Sequence, residues 1–296
     1  MYAYPKLTPA EQLTLPRLID EAEEMKTKFE DSTHQLWHCE TVDGPTILKV
    51  CDHDVVSTSS FWYGMNELFG ANFPNSIGQI HKTHTFLSEK GCFVVPDFLA
   101  ASASRFVLTR FLAGEDIEAK FVTNEMVVLL AKHIAQLHQQ RHQKWGDLHA
   151  PAFALADWKE KLLLTLRDLA EKSTFNIPES LLSEVLVQVT RLREVDFVPI
   201  MLDLRWDQFR ILDSKEAGYP IALIDLDAFA IGPRALELVL LEYVLTAEQF
   251  DLFRTQYTLE CDWPDYSQQK ASYQLLLFLM NVLGETDIQR WMKQDY

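Results

Sequence analysis

The sequence predicts an α+β chain, with strands gathered in its first third and helices dominating the rest. Three observations carry this. Asp43-Gly44 separates two alternating runs, a strong short-range sign of a hairpin. From Asn124 onward, apolar residues recur at helical spacing. Within that helical part, residues 198–238 hold two short β-prone runs joined by a polar loop with Gly218 and Pro220 as breakers.

The elements follow in order. Thr8, with Glu11 three residues on, starts a helix expected to reach about Lys28. A loop over residues 30–35 leads into the Asp43-Gly44 hairpin. Its second strand contains Lys49 between Leu48 and Val50. A lysine there either faces out from a half-exposed strand or is aimed at an anion. A helix over residues 57–69 carries Glu67, an acid within reach of Lys49. Two further runs, residues 91–100 and 104–112, complete a sheet of about five strands.

Residues 124–140 read as a helix through Met126, Val127, Leu130, Ile134 and Leu137. His138 and His142 lie one helical turn apart, but no third ligand stands at a recognisable spacing, so a structural or exposed role is expected. Gly146-Asp147 reads as a loop after this helix that lines a cleft. Residues 157–172 form an amphipathic helix and residues 178–193 another. The last helices are expected to end near Tyr243 and to cover 247–257 and 267–283. Trp263 and Tyr266 sit among acids in an intervening loop. They read either as a cage for a cation or as a surface loop pinned by a buried Trp.

In residues 198–238, folding the two runs together brings Asp203 and Gln208 opposite Asp225 and Asp227. Converging carboxylate and amide oxygens suit a hard cation. The same aspartates can also simply cap strand ends.

Composition sets limits. The chain has 296 residues, 48% of them apolar, enough for a sizeable core. A net charge of −16 argues against a nucleic-acid partner and favours a cationic ligand. Cys39, Cys51, Cys92 and Cys261 form no Cys-x-x-Cys pair, which suits free thiols in a reducing compartment. No apolar run is long enough to span a bilayer, and the first residues do not read as a signal peptide. A soluble, cytoplasmic protein without membrane contact is expected. No internal repeat or low-complexity tract is present.

Residues 198–238 also resemble the core of the aminoglycoside phosphotransferase and choline kinase family, small-molecule relatives of the protein kinases. That family carries His-Gly-Asp-x-x-x-x-Asn, then Ile-Asp-x-Glu/Asp, then Gly-x-x-x-x-Asp-Leu. Here the first motif reads Met201, Leu202, Asp203 and, after four residues, Gln208. The second reads Ile224, Asp225, Leu226, Asp227, followed by Gly232 and Glu237-Leu238. Met201, Leu202, Gln208 and Glu237 depart from the pattern.

The resemblance implies a two-lobed protein-kinase-like fold. Residues 1–112 would form the antiparallel N-terminal lobe and 113–296 the mainly helical C-terminal lobe. It implies ATP and Mg2+ as cofactors and a small-molecule hydroxyl as phosphate acceptor. Asp203 and Arg205 would be catalytic. Gln208, Asp225 and Asp227 would bind the metal. Lys49 would reach the nucleotide phosphates, held by an ion pair with Glu67. Ser32 and Thr33 would stand in for the glycines missing from the phosphate loop. Backbone groups at residues 109–112, including Thr109 and Phe111, would meet the base. The altered motifs also admit a different class: a kinase-like module that binds a ligand with little or no catalysis. A metal hydrolase built on the histidines lacks the ligand spacing.

Overall fold

A computed structural model describes residues 2–26, 32–192, 196–213 and 220–294. Thr8 caps the first helix, α1 (Pro9–Gln12). Its hydroxyl accepts from the Glu11 amide, and the Glu11 carboxylate accepts from the Thr8 amide. The helix stops there instead of continuing toward Lys28, which lies outside the described residues. Pro16 removes a helix donor, and the backbone after it pairs with the sheet edge instead. The Ile19 amide donates to the Glu40 carbonyl and the Val42 amide to the Arg17 carbonyl. Strand β1 (Glu23–Met25) then joins the sheet edge.

Strands β2 (His34–Thr41) and β3 (Gly44–Cys51) form the expected hairpin, in register from Thr41 opposite Gly44 to His34 opposite Cys51. Gly44 has φ +104°, a conformation that favours glycine. Helices α2 (His53–Thr58) and α3 (Ser60–Gly64) and a π-helical turn (Met65–Phe69) cover the predicted 57–69 helix. Helix α4 (Ile80–Lys90) precedes strands β4 (Phe98–Ala101) and β5 (Phe106–Arg110). The sheet order is β1-β2-β3-β5-β4.

Alternation along these strands decides which side chains meet water. Trp37, Cys39, Leu48, Val50, Phe106 and Leu108 form a small core with Tyr4, Leu7, Leu15 and Leu18 from the N-terminal segment. Because successive side chains point to opposite faces, His34, Leu36, Ile47 and Lys49 take the other face. Lys49 therefore faces a cleft rather than bulk solvent.

The remainder is built around a large core of helices and two small sheets. In chain order come β6 (Gly114–Asp116), α5 (Asn124–His138), β7 (Lys144–Asp147), β8 (Phe153–Ala154), α6 (Trp158–Lys172) and α7 (Glu179–Thr190). Then follow β9 (Phe197–Met201), β10 (Phe209–Leu212), β11 (Ile221–Leu223), β12 (Phe229–Pro233), α8 (Arg234–Val244), α9 (Ala247–Tyr257), α10 (Lys270–Leu279) and α11 (Ile288–Trp291). The 198–238 stretch is a nested pair of ladders. β10 pairs with β11 inside, and β9 pairs with β12 outside. Gly218, in the connecting loop, lies outside the described residues.

Gly146-Asp147 is a strand, not the loop the sequence predicts. It pairs with Ala230 and Ile231 of β12. Trp145 anchors it, fully buried against Phe153, Trp158 and Phe197. Gly146 has φ +123°, and a Cβ there would stand 3.0 Å from the Phe69 carbonyl oxygen. The Asp147 carboxylate accepts from the His149 and Ala150 amides, so it is spent on a turn. Among the described residues, no helix is long and apolar enough to cross a membrane.

Candidate active site

Strand β9 is buried along its whole length, and Asp203 emerges two residues beyond its end. The loop is fixed at three points. The Leu202 amide donates to the Ala228 carbonyl. The Met201 amide donates to Glu237 Oε1 at 2.7 Å. The Ile224 amide donates to the Gln208 carbonyl at 2.9 Å, which ties the end of the Asp203 loop to the start of the Asp225 loop. Glu237, 1% exposed, also accepts from His138 Nε2 at 2.8 Å, while His138 Nδ1 accepts from the Tyr257 hydroxyl. His138 is thus a core residue holding a carboxylate, in line with the structural role expected of it.

The loops held in this way border a cavity of about 280 Å3 beneath the five-stranded sheet, lined by Met201, Gln208, Ile224 and Ala228 among others. Lys49, Asp203, Gln208, Asp225 and Asp227 converge on it, with Arg205 at its wall. Lys49 Nζ lies 3.0 Å from Asp225 Oδ1 and 3.3 Å from the Ile224 carbonyl. Gln208 Nε2 donates to Asp203 Oδ2 at 3.0 Å. Arg205 Nε stands 3.4 Å from carboxylates of both Asp203 and Asp207.

Burial and mutual repulsion set the charges. Burial pushes the Asp203 carboxyl up to about 7, aided by Asp225, Asp207 and Asp227 and opposed by Arg205. Asp227 is pushed up too, by burial and then by Asp225. Burial also works against ionised Asp225, but Lys49 and His34 outweigh it and hold its carboxyl below the ordinary range. Burial likewise opposes the charge on Lys49. Asp225 and then Asp227 reverse this and raise its pKa.

A pH dependence follows. Groups with raised carboxyl pKa values bind more protons folded than unfolded, so their contribution to stability falls as pH rises from about 4 to about 7. Asp225 acts in the opposite sense and loses its contribution below the ordinary carboxylate range. The two raised carboxyls should therefore cost the ligand-free protein stability between pH 5 and pH 8, to a smaller extent in Asp227→Asn, with buried His34, pushed down to about 4, offsetting part of the loss below its ordinary value of 6.5. Urea midpoints at the two pH values measure this. An unchanged difference in the variant would remove Asp227 from the account.

No protein-family model matches the sequence, and no curated protein matches it. Solved structures do. A putative fructosamine-3-kinase from Haemophilus somnus is similar with a TM-score of 0.60 at 13% identity, covering 94% of this chain and 92% of that one. A macrolide 2'-phosphotransferase from Brachybacterium faecium gives 0.57 at 14% identity, covering 92% and 90%. A wild-type aminoglycoside 2'-phosphotransferase, solved with GDP, gives 0.56 at 14% identity, covering 92% and 86%. The chain has the two-lobed, kinase-like fold of these small-molecule phosphotransferases.

Within that fold, several side chains differ from expectation. Glu67 does not pair with Lys49. The π-helical turn buries Met65, Leu68 and Phe69, which leaves Glu67 exposed, its backbone carbonyl accepting from Lys161. The helix before β4 instead carries His84, close enough to Lys49 and Asp225 to feel both charges. His84 Nδ1 donates to the Pro96 carbonyl, and burial pushes its pKa down to about 4. Ser32 and Thr33 do line the cavity, but Ser32 Oγ donates to the His34 carbonyl and Thr33 Oγ1 accepts from Trp62 Nε1. Glu30 and Asp31 of that loop lie outside the described residues.

Thr109 and Phe111 also line the cavity. The Phe111 amide, however, donates to the Pro45 carbonyl, and the Leu112 carbonyl accepts from Arg210 Nη1 at 2.9 Å. Two backbone groups expected at a base edge are therefore already engaged. Arg210, clamped to Asp116, was not singled out by sequence, because an arginine in a short strand carries no motif. His34, buried on β2 beside Asp227, was also missed. Its signal was available: it shares the strand face of Leu36, opposite Lys49. Trp263 and Tyr266 form no cage. The Tyr266 hydroxyl is buried and donates to Glu242, and Trp263 packs on Phe250, Phe253 and Tyr257.

Proposed function

We propose that the protein transfers the γ-phosphoryl group of ATP to a hydroxyl of a small molecule. The carrying observation is the convergence of Lys49, Asp203, Gln208, Asp225 and Asp227 on one cavity beneath a five-stranded sheet. In phosphoryl transfer a protein mainly positions groups and stabilises charge. Asp203 is the group that orients the acceptor hydroxyl and takes its proton. Arg205, beside it, offsets negative charge developing on the phosphate. Lys49 moves from Asp225 to the nucleotide phosphates. The lobes divide at residues 112 and 113, and the nucleotide lies between them.

The donors fit magnesium. Asp225 and Asp227 supply carboxylate oxygens and Gln208 an amide oxygen, all hard ligands. Asp227 Oδ2 is buried without a hydrogen-bond partner. Among the described residues no three His, Cys, Asp or Glu side chains cluster tightly enough to hold an ion by themselves. That suits magnesium, which is usually held by one or two carboxylates together with substrate phosphates. Bound there, it would neutralise charge between the β- and γ-phosphates. The acidic cleft and the net charge of −16 favour a cationic acceptor such as an amino sugar or a choline-like amine. The free cysteines fit a reducing, cytoplasmic setting.

One observation favours a second reading, a binding module without catalysis. Gln208 donates to Asp203, so the residues assigned to metal and base hold one another. Substituting Gln208 separates the two. In an enzyme, Gln208→Asn should hold or raise the rate of phosphate release and lower its magnesium requirement, whereas Gln208→Ala should lower the rate by about 10²-fold, as a misplaced ligand can. Phosphate release against magnesium concentration reads this. Identical, magnesium-independent background in wild type and both variants would favour the binding module.

A further inference from the structure

We propose that His34 is a nitrogen ligand for a manganese-like divalent cation in this cleft, joining the sheet to the Asp225–Asp227 loop, a ligand that magnesium bound at the same oxygens does not use. The inference rests on the reading of Asp225 and Asp227 as metal ligands and adds a residue to that site.

His34 is 8% exposed, yet its Nε2 makes no hydrogen bond. Asp227 Oδ2 is likewise buried and unpartnered. The two atoms face each other at 3.9 Å, too far for a hydrogen bond. Buried polar atoms are nearly always satisfied, so two that face one another across a cleft need a common partner. A cation accounts for both. Neighbouring ligands of an octahedral ion, each about 2.1 Å from it, stand about 3 Å apart, so His34, Asp225 and Asp227, which do not form a ready-made site as they stand, would come together on an ion with a side-chain rotation of about 1 Å.

The ring is already aimed. His34 Nδ1 lies 3.5 Å from Thr33 Oγ1, and the ring packs edge-on against Phe73 with centroids 5.8 Å apart. In the tautomer with Nδ1–H donating to the hydroxyl, the Nε2 lone pair is directed toward Asp227, as a metal-binding histidine requires. An imidazole nitrogen suits first-row transition ions, whereas magnesium selects oxygen. Lys49, now on Asp225, leaves the Asp227 side of the site to the cation.

The test uses the full chain with Mn2+ and inorganic tripolyphosphate, which contains no nitrogen. Electron spin-echo modulation should show a directly bound 14N in the wild type. Labelling the protein with 15N-histidine should convert that signal to the 15N pattern, and His34→Gln should remove it. Mn2+ affinity should fall about tenfold in His34→Gln while magnesium affinity changes less than about twofold. Bound Mn2+ without histidine nitrogen in the wild type overturns the assignment of His34 but leaves the metal site standing. A wild type that binds no Mn2+ overturns both. The labelling arm needs no variant and decides whether a histidine ligates at all; where His34→Gln fails to fold, His34→Asn assigns the nitrogen to this residue, and a 15N signal that persists in a folded His34 variant overturns the assignment.

Discussion

Asp203→Asn is expected to lower phosphoryl transfer by about 10²–10⁴-fold, the range over which a positioned proton acceptor acts. The fold should survive the change. Asparagine keeps the shape, and its amide oxygen can still accept from Gln208 as Asp203 Oδ2 does at 3.0 Å. It also removes a carboxyl that burial has pushed up to about 7, so the ligand-free variant should melt no lower than wild type at pH 8. Loss of rate without loss of stability is the signature of a residue that serves chemistry rather than folding. Asp147→Asn is the control. Asp147 caps a turn through the His149 and Ala150 amides and lies on a strand outside the cavity, so it should change the rate little. The reverse pattern would mean that the wrong aspartate has been assigned to the chemistry.

Glu237→Ala should have the opposite character. Its carboxylate accepts from the Met201 amide at 2.7 Å and from His138 at 2.8 Å, with 1% of the residue exposed. Alanine leaves both donors buried and unpaired and opens a cavity beside them. Breaking a buried pair in this way costs about 3–5 kcal/mol. The urea midpoint should fall accordingly. Because Met201 lies two residues before Asp203, any folded fraction should lose rate as well. Glu237→Gln retains an oxygen for the Met201 amide and should cost less, about 1–3 kcal/mol, through its altered contact with His138. An unfolding free energy within about 0.5 kcal/mol of wild type for Glu237→Ala, the level of an ordinary surface change, would show that Glu237 does not hold the loop.

The architecture was legible where local rules are strong. Asp43-Gly44 specified its hairpin, and the 124–140 periodicity its helix, because turn chemistry and amphipathic spacing act over a few residues. The long first helix failed at Pro16, where backbone pairing with the sheet edge replaced helix bonds. The Gly146-Asp147 strand was hidden because its pairing partner, Ala230-Ile231, is remote in the chain. The acids near Asp203 were visible through motif spacing, and so was Lys49. What spacing could not show was direction. Glu67 had a suitable distance along the chain, but a π-helical turn rotates it outward. His84 and Arg210 reach the cleft region only through lobe packing and remote strand pairing, which no local pattern encodes, whereas His34 could have been placed by the alternation of the predicted hairpin.

The central claim is that a nucleotide with its divalent cation occupies the cavity at Lys49. Thermal unfolding with and without ATP and magnesium tests it most directly. A ligand present at about 100 times its Kd stabilises the native state by about 2.7 kcal/mol. For a chain of this size, a rise in Tm of about 5–10 °C is predicted for the wild type. Lys49→Ala should remain folded and lose most of that rise. No rise in the wild type, or an equal rise in Lys49→Ala, would contradict the account.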